Sequence, residues 1–268
     1  MESTSRPFES VLSKQRRQRF IISSRVAFVL LIVLLSLWLS DLLDPKRLLQ
    51  GIPDLIDIAA EMFPPSFSKA DQWVNPLIDT LAMSIAGTSL AVALSLPLAL
   101  LAARNTTPHI GLYYFSRFIL NFLRSIPELI MGIIFVAAVG FGVLPGTLAV
   151  GLHSIGMVGK FFAESIEHAD EAPIEATRAT GANQLQVIFH SVLPQVSSQI
   201  ADISLYRWEY NFRASTIMGA VGAGGIGFEL IGALRLLQYE AVGGILIVIL
   251  IMVTLVDALS NFLRRRFA

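Results

Sequence analysis

Six stretches of the chain are apolar over enough residues to cross a bilayer: about 21–43, 77–103, 115–142, 145–164, 197–221 and 240–262. A spanning helix needs about 20 mostly apolar residues, so each is predicted to be one. The second is the cleanest, with Leu81, Ile85, Leu90, Leu94, Leu98 and Leu101 set around the small residues Ala86, Gly87, Ala91 and Ala93. Small residues let helices approach closely in lipid, where no hydrophobic force drives association. Two interruptions stand out. Segment 44–76 mixes Asp44, Asp54, Asp57, Glu61 and Asp71 with Lys46, Arg47 and Lys69. Together with "MFPPSFS" and Trp73 it predicts an amphipathic stretch lying at a membrane surface. Segment 165–196 is the longer polar connection late in the chain.

That second interruption carries the signals of two short helices. Asp170 followed by Pro173 marks a helix start, since proline is tolerated in a first turn, and Glu171 and Glu175 suit its positive end. Gly181 can end the helix in the left-handed conformation. Asn183 with Gln186 three residues on has the form of a capping box. Leu185, Ile188, Phe189 and Val192 give the following helix an apolar side, and Pro194 closes it before the next span. The alternative is a plain amphipathic helix on the inner membrane surface, but such helices carry a basic polar face. Here there is one arginine, Arg178, among several acids.

Composition agrees with the pattern. Of 268 residues 54% are hydrophobic and 15% charged, against about 25% charged in soluble domains. Mean hydropathy is +0.66. The reading is an all-α integral membrane protein. Net charge is zero, which removes the bulk electrostatic case for nucleic acid. No cysteine is present, so disulfides, thiolate metal sites and cysteine nucleophiles are excluded. His109, His153, His168 and His190 lack ligand spacing, and no metal site is expected.

Basic residues set the orientation. The N-terminal tail carries Lys14, Arg16, Arg17, Arg19 and Arg25, and the C-terminal tail Arg264, Arg265 and Arg266. An even number of spans puts both ends on one side, the cytoplasm. The expected organisation is a cytoplasmic tail at 1–20, a first span at 21–43 and a periplasmic segment at 44–76. A transmembrane core follows at 77–262, containing the cytoplasmic loop 165–196, and a basic cytoplasmic tail at 263–268.

At this point the residues resemble a known family. Glu175, Ala176, Gly181, Leu193 and Pro194 match the spacing of the "EAA" loop of binding-protein-dependent ABC transporter permeases, with Thr177 for Ala and Ser191 for Ile. In that family the loop is a coupling helix that docks on a cytoplasmic ATPase. "RSIPELIMGIIFVAAVGFG" (124–142), "RATGANQL" (178–185), "LPQ" (193–195) and "GAVGAGGIG" (219–227) together are similar to the permease subunit of phosphonate-type importers. The resemblance implies about six transmembrane helices in the MetI-like ABC permease fold, in a bacterial inner membrane. It also implies a second copy of the chain, a cytoplasmic ABC ATPase dimer and a periplasmic or lipid-anchored substrate-binding protein. ATP and Mg would be bound by the ATPase, with no cofactor held by this chain. No GxxxxGK[ST] loop is present, so an enzyme is not expected. The expected cargo is phosphonate or a related phosphorus oxyanion. Phosphite, methionine and an osmoprotectant are alternatives, and a secondary transporter or channel is the rival class.

Two further constellations are candidates for the path. Ionisable groups at membrane depth usually face a cavity or a partner. Arg124 and Glu128 flank Pro127 in the third span. In the fifth, Asp202, Tyr206, Glu209 and Arg213 fall within roughly 60° of one another at 100° per residue, Arg207 and Asn211 share a neighbouring face, and Glu209 with Arg213 has the order of an i, i+4 ion pair. Arginines there would meet an oxyanion bidentately; a network that only pins helices is the alternative. Gly222, Gly224, Gly225 and Gly227 form a glycine run whose GxGxxG lacks the strand a dinucleotide site needs. It is expected to be a close-packed backbone break at an outer gate.

Overall fold

The computed structural model describes residues 5–267, of which the chain before Lys14 is described by its backbone alone. The expected tail at 1–20 therefore lies partly outside the described residues, as does Ala268. Two compact units are present, residues 1–60 and 61–268.

The first unit holds α1, Ser5–Leu39, and α2, Pro45–Glu61. Apolar side chains from Phe20 to Leu39 stand exposed around α1. An all-round apolar helix of this length suits lipid. On α2, Leu49, Ile52, Leu55 and Ile56 are exposed at helical spacing along one side, with Asp54, Asp57 and Glu61 on the other, which is the amphipathic pattern expected of this segment.

The second unit is built on α3 (Ala70–Ala102) and α6 (Val143–Glu167), around which α4 (Ile110–Ser125), α5 (Glu128–Val139) and α9 (Leu193–Met218) pack. Thr80, Ser84, Gly87, Thr88, Ala91, Ser95, Ala99 and Ala102 form one buried stripe of α3. Its small side chains let the backbones meet: a Cβ on Gly87 would lie 3.3 Å from the Thr147 carbonyl, and one on Gly151 3.3 Å from that of Gly87. Ser95 Oγ donates to the Ile155 carbonyl at 3.1 Å across this seam, an interhelical bond of the kind worth about 0.6 kcal/mol in membranes. Gly156 brings α6 against α4, where a Cβ would stand 2.7 Å from both the Leu120 carbonyl and the Arg124 amide.

Two expected spans are broken. The stretch expected at 115–142 bends by 86° between α4 and α5. Ile126 is extended, at ψ 121°, because the residue before a proline is pushed out of the α region, and Pro127 then starts a new helix. Arg124 and Glu128 are consequently not one helical turn apart, and no ion pair joins them. The fifth span bends by 45° at Gly219–Gly225, beyond which α10 covers Ile226–Arg235. Among the described residues three helices are long and apolar enough to cross a membrane: Lys14–Leu39, Ala70–Ala102 and Tyr239–Arg266. Each bent pair can add one more. α6 falls below that apolar level, since glycines, His153 and Lys160 dilute it; it meets protein over most of its surface.

The last helix, α11, spans Tyr239–Phe267, so 263–267 is helical. Its N-terminal half packs Val242 and Ile245 with Ile226, Ala233 and Trp73. Trp73, expected at a membrane surface, is 3% exposed and belongs to this core. α3 begins seven residues before the expected span and carries Trp73 inward on its first turn.

Candidate functional site

The polar connection after α6 folds as a hairpin. Asp170 caps α7, Glu171–Ala179, by accepting from the Ala172 amide at 3.1 Å. Gln195 Oε1 accepts from the Asp170 amide at 2.9 Å, tying the start of the hairpin to its exit. Gly181 follows at φ +85°, with nothing within 4 Å of where a Cβ would be. Glycine is favoured there by backbone conformation alone. Asn183 then forms a complete capping box with Gln186, accepting at 2.9 Å and donating at 2.8 Å. It starts α8, Gln184–Val187.

Beyond α8 the outcome differs from expectation. A π-helical turn, Ile188–Val192, runs without a stop into α9. Pro194 thus lies inside the first turn of α9 and closes nothing. A widened turn ahead of it absorbs the backbone bond that proline cannot make. The turn also divides the expected apolar side. Val187, Ile188 and Val192 are buried, whereas Leu185 and Phe189 are 66% and 63% exposed. Ile174 of α7 packs inward with Val187 and Val192, and a hydroxyl bond joins Thr177 to Ser191. These are the two positions that depart from the family pattern. Glu175 and Ala176 remain exposed, as do Leu185 and Phe189.

Sequence reasoning missed what the hairpin stands on. Glu167, at the end of α6, accepts from Arg117 of α4 through both oxygens at 2.9 Å and from the Arg104 amide at 3.0 Å. Asn105 donates to the Ile166 carbonyl, and Gln184 to that of Thr106. Arg117 stacks over the Tyr113 ring at 5.0 Å. A hydrogen bond to the Tyr113 hydroxyl raises the Arg104 pKa above the usual arginine value. Nothing near Arg104 or Arg117 in the sequence signals this role, because their shared partner Glu167 lies 50 or more residues away.

The second constellation lies on α9 and splits between two faces, as the periodicity predicts, but with unexpected partners. Toward α6 and α3, Arg207 is 6% exposed. Its Nε donates to Ser154 Oγ at 2.9 Å, Ser154 donates to Asn211 Oδ1 at 2.9 Å, and Asn211 donates to Thr88 at 2.8 Å. The guanidinium stacks 4.2 Å above the Tyr210 ring, and the Tyr210 hydroxyl donates to Glu128 at 3.3 Å. Arg207 Nη2 and Glu128 Oε2 are buried without a partner. Toward α11, Glu209 does not pair with Arg213. Arg264 contacts Glu209 and lies 3.5 Å from Asp202, while Arg213 pairs with Asp257 at 3.1 Å. The i, i+4 pair loses to a neighbouring helix that presents its own charges. For Arg124, half-buried at the end of α4, no hydrogen bond or ion pair is seen among the described residues.

The glycine run is a break held in place. Gly222, Gly224 and Gly225 have φ between +73° and +89°. The Gly142 amide donates to the Gly222 carbonyl at 3.2 Å, and the Ile226 amide to Thr80 Oγ1 at 2.9 Å. A Cβ on Gly227 would lie 1.7 Å from the Thr216 carbonyl, which fixes the approach of α10 to α9.

Residues 95–268 match the family described as binding-protein-dependent transport system inner membrane components. The chain is 64% identical over 243 residues to the phosphite transport system permease protein PtxC of Stutzerimonas stutzeri, spanning 91% of this chain and 88% of that one. It is 41% identical over 232 residues to the phosphate-import permease protein PhnE of Mycolicibacterium smegmatis, across 87% of this chain and 43% of that longer one. In fold it is similar to a chain of the inward-facing MetNI methionine ABC transporter, with a TM-score of 0.65 at 23% identity, covering 76% of this chain and 99% of that one. With an all-helical core, a hairpin at the spacing of the EAA loop and matches over most of its length, the chain belongs to the binding-protein-dependent transport system inner membrane component family, as a non-catalytic ABC permease subunit.

Proposed function

We propose that this permease carries phosphite, a phosphonate or a related phosphorus oxyanion inward across the bacterial inner membrane. The observation that carries the cargo is the 64% identity, across 91% of the chain, to a protein named for phosphite transport. In this reading two copies line one pathway with both chain ends in the cytoplasm, and a substrate-binding protein docks from outside. Two ATPase subunits, which bind ATP and Mg, drive the cycle from below.

The hairpin is the point of energy entry. Support comes from the exposed Glu175, Ala176, Leu185 and Phe189 it presents on a base bolted to α4 and α6. A rigid knob can transmit a push; a loose loop would absorb it. Gly181, Leu193 and Pro194 shape that knob, and its cytoplasmic placement follows from the basic tails. Arg207, Asn211 and Glu128 are assigned to the path and its immediate frame, because a buried guanidinium with no carboxylate in ion-pair contact and one nitrogen left over is a ready host for an oxyanion. Arg124 is a second candidate cation. Glu209 and Arg213, which face α11, serve to join α9 to that helix. Gly222, Gly224, Gly225 and Gly227 form the hinge of an outer gate.

The test is uptake by the permease reconstituted in liposomes with its ATPase and binding protein. ATP-dependent accumulation of phosphite or methylphosphonate, with none of methionine, is the expected result. Accumulation of methionine alone would overturn the cargo.

A further inference from the structure

Arg207 lines a cavity of about 190 Å³ between α6 and α9, shared with His153, Met157, Phe161, Tyr206 and Tyr210. That is well below the roughly 300–1,000 Å³ of pockets for drug-sized ligands. Three properties define what would fit. The first is charge. Arg207 is 6% exposed and has no ion-pair partner among the described residues; Ser154 takes Nε, and Nη2 is left over. A cation buried in this way is stabilised by an anion that accepts from it. The second is the histidine. His153 Nδ1 lies 3.0 Å from the Ile126 carbonyl, and a carbonyl only accepts, so Nδ1 carries the proton. Nε2 is not engaged by that bond, and as an acceptor it suits the hydroxyl of a singly ionised oxyacid. The third is the apolar part of the wall. Met157, Val158, Phe161 and Ile203 offer no hydrogen-bond donor, in contrast to Tyr206 and Tyr210, so an oxygen placed against them would give up water and gain nothing.

We propose that this cavity is a resting site for a small tetrahedral oxyanion bearing one apolar substituent, a P–H or a short P–C group, and that it disfavours an anion with four oxygens. The inference rests on the cargo reading above. It assigns to the permease a share of the discrimination between reduced and fully oxidised phosphorus. Arg207 holds the oxygens, His153 takes the hydroxyl proton in a hydrogen bond, and the thioether and phenyl wall receives the hydrogen or methyl.

The test is phosphorus NMR line broadening of phosphite, methylphosphonate and inorganic phosphate added to the permease–ATPase complex in nanodiscs, without the binding protein. Phosphite and methylphosphonate should bind, with phosphate roughly tenfold weaker, since its fourth oxygen goes unpaired. Arg207→Gln should abolish binding of all three, and Arg207→Lys, which keeps the charge, should retain part of it. Met157→Gln, similar in shape but polar, should narrow the preference against phosphate. Equal binding of phosphate and phosphite by the wild type would overturn the apolar-substituent preference. Absence of binding for all three, or full binding by Arg207→Gln, would overturn the site itself. Uptake of the same anions by the complete transporter, measured in parallel, separates the cases. Uptake without binding in the cavity defeats this inference alone, and absence of uptake of phosphite and methylphosphonate defeats the cargo reading.

Discussion

The hairpin at 171–192 and the charged middle of α9 are both polar islands in an apolar chain, yet they are organised by opposite rules. In the hairpin the caps and the turn are local, while a few longer bonds, Asp170 to Gln195 and Gln184 to Thr106 among them, tie it to its surroundings. Asp170 reaches Ala172, Asn183 and Gln186 satisfy one another three residues apart, and Gly181 turns the chain by itself. On α9 the charges ignore their own helix. Glu209 finds Arg264 across 55 residues and Arg213 finds Asp257 across 44. The difference follows from the surroundings. Water can satisfy a helix end that has no cap, so a solvated hairpin needs chain-local devices to hold its own turns, whatever anchors its base. Inside a bundle a charge without a partner is costly, so whichever helix packs alongside must supply one.

The sharpest way to break this contrast is at Arg264. Glu209 has a side chain 11% exposed, and Arg264 is its partner. Arg264→Gln strands that carboxylate, and removal of one member of a buried pair costs about 3–5 kcal/mol. The thermal unfolding midpoint of the detergent-purified permease and its abundance in the membrane should both fall markedly. Adding Glu209→Gln should recover most of the loss. If Arg264→Gln is as stable as the wild type, the α9–α11 pairing does not organise this helix.

Gly181 tests the local rule. Because nothing lies within 4 Å of its missing Cβ, the cost of Gly181→Val is backbone strain alone, about 1–3 kcal/mol. Gly181→Asn should be nearly neutral, since asparagine enters the left-handed region readily. Uptake per inserted permease should therefore drop for valine and hold for asparagine. Equal loss in both would mean that the exposed surface, and not the turn, tolerates no side chain.

These two regions also divide what was legible in the sequence. The caps at Asp170 and Asn183 and the turn at Gly181 were readable because their partners lie within three residues. The periodicity of α9 correctly separated Arg207 and Asn211 from Asp202, Glu209 and Arg213, since a helix fixes its own faces. It could not name partners, because those depend on which helix packs where. So the Glu209–Arg213 pair failed, Arg264 was read as a tail charge, and the Arg117–Glu167 anchor went unseen. The spans at 115–142 and 197–221 were apolar enough to read as continuous. Their breaks at Ile126–Pro127 and at the glycine run change backbone direction without changing hydropathy.

A smaller effect is expected from the capping box. Asn183→Ala removes the side-chain acceptor for the Gln186 amide, and losing such a cap costs about 1 kcal/mol. Amide exchange should rise over Gln184–Val187 while α9 stays protected, because the π-helical turn at Ile188–Val192 rests on buried Val187, Ile188 and Val192. Exchange spreading into α9 would show that the cap supports the span as well as the hairpin.

The smallest effect belongs to Arg213, and its smallness is what the contrast requires. Arg213 and Asp257 sit 3.1 Å apart, but their side chains remain 44% and 38% exposed in the chain. Exposed pairs contribute roughly 0.2–1 kcal/mol, and neither residue is stranded in a closed interior when the other is lost. Arg213→Gln should lower the unfolding midpoint only slightly, and Asp257→Asn should do the same. Combining them should give no more than the sum of the two, since the coupling between them is weak. Transport per inserted permease should change little, because Arg213 faces α11 while the cavity at Arg207 opens between α6 and α9. On the reading proposed above, two α9 arginines, six residues apart, separate the roles of joining helices and receiving an anion. Loss of phosphite uptake in Arg213→Gln at wild-type abundance would place the path on the α11 face and remove Arg207 from it.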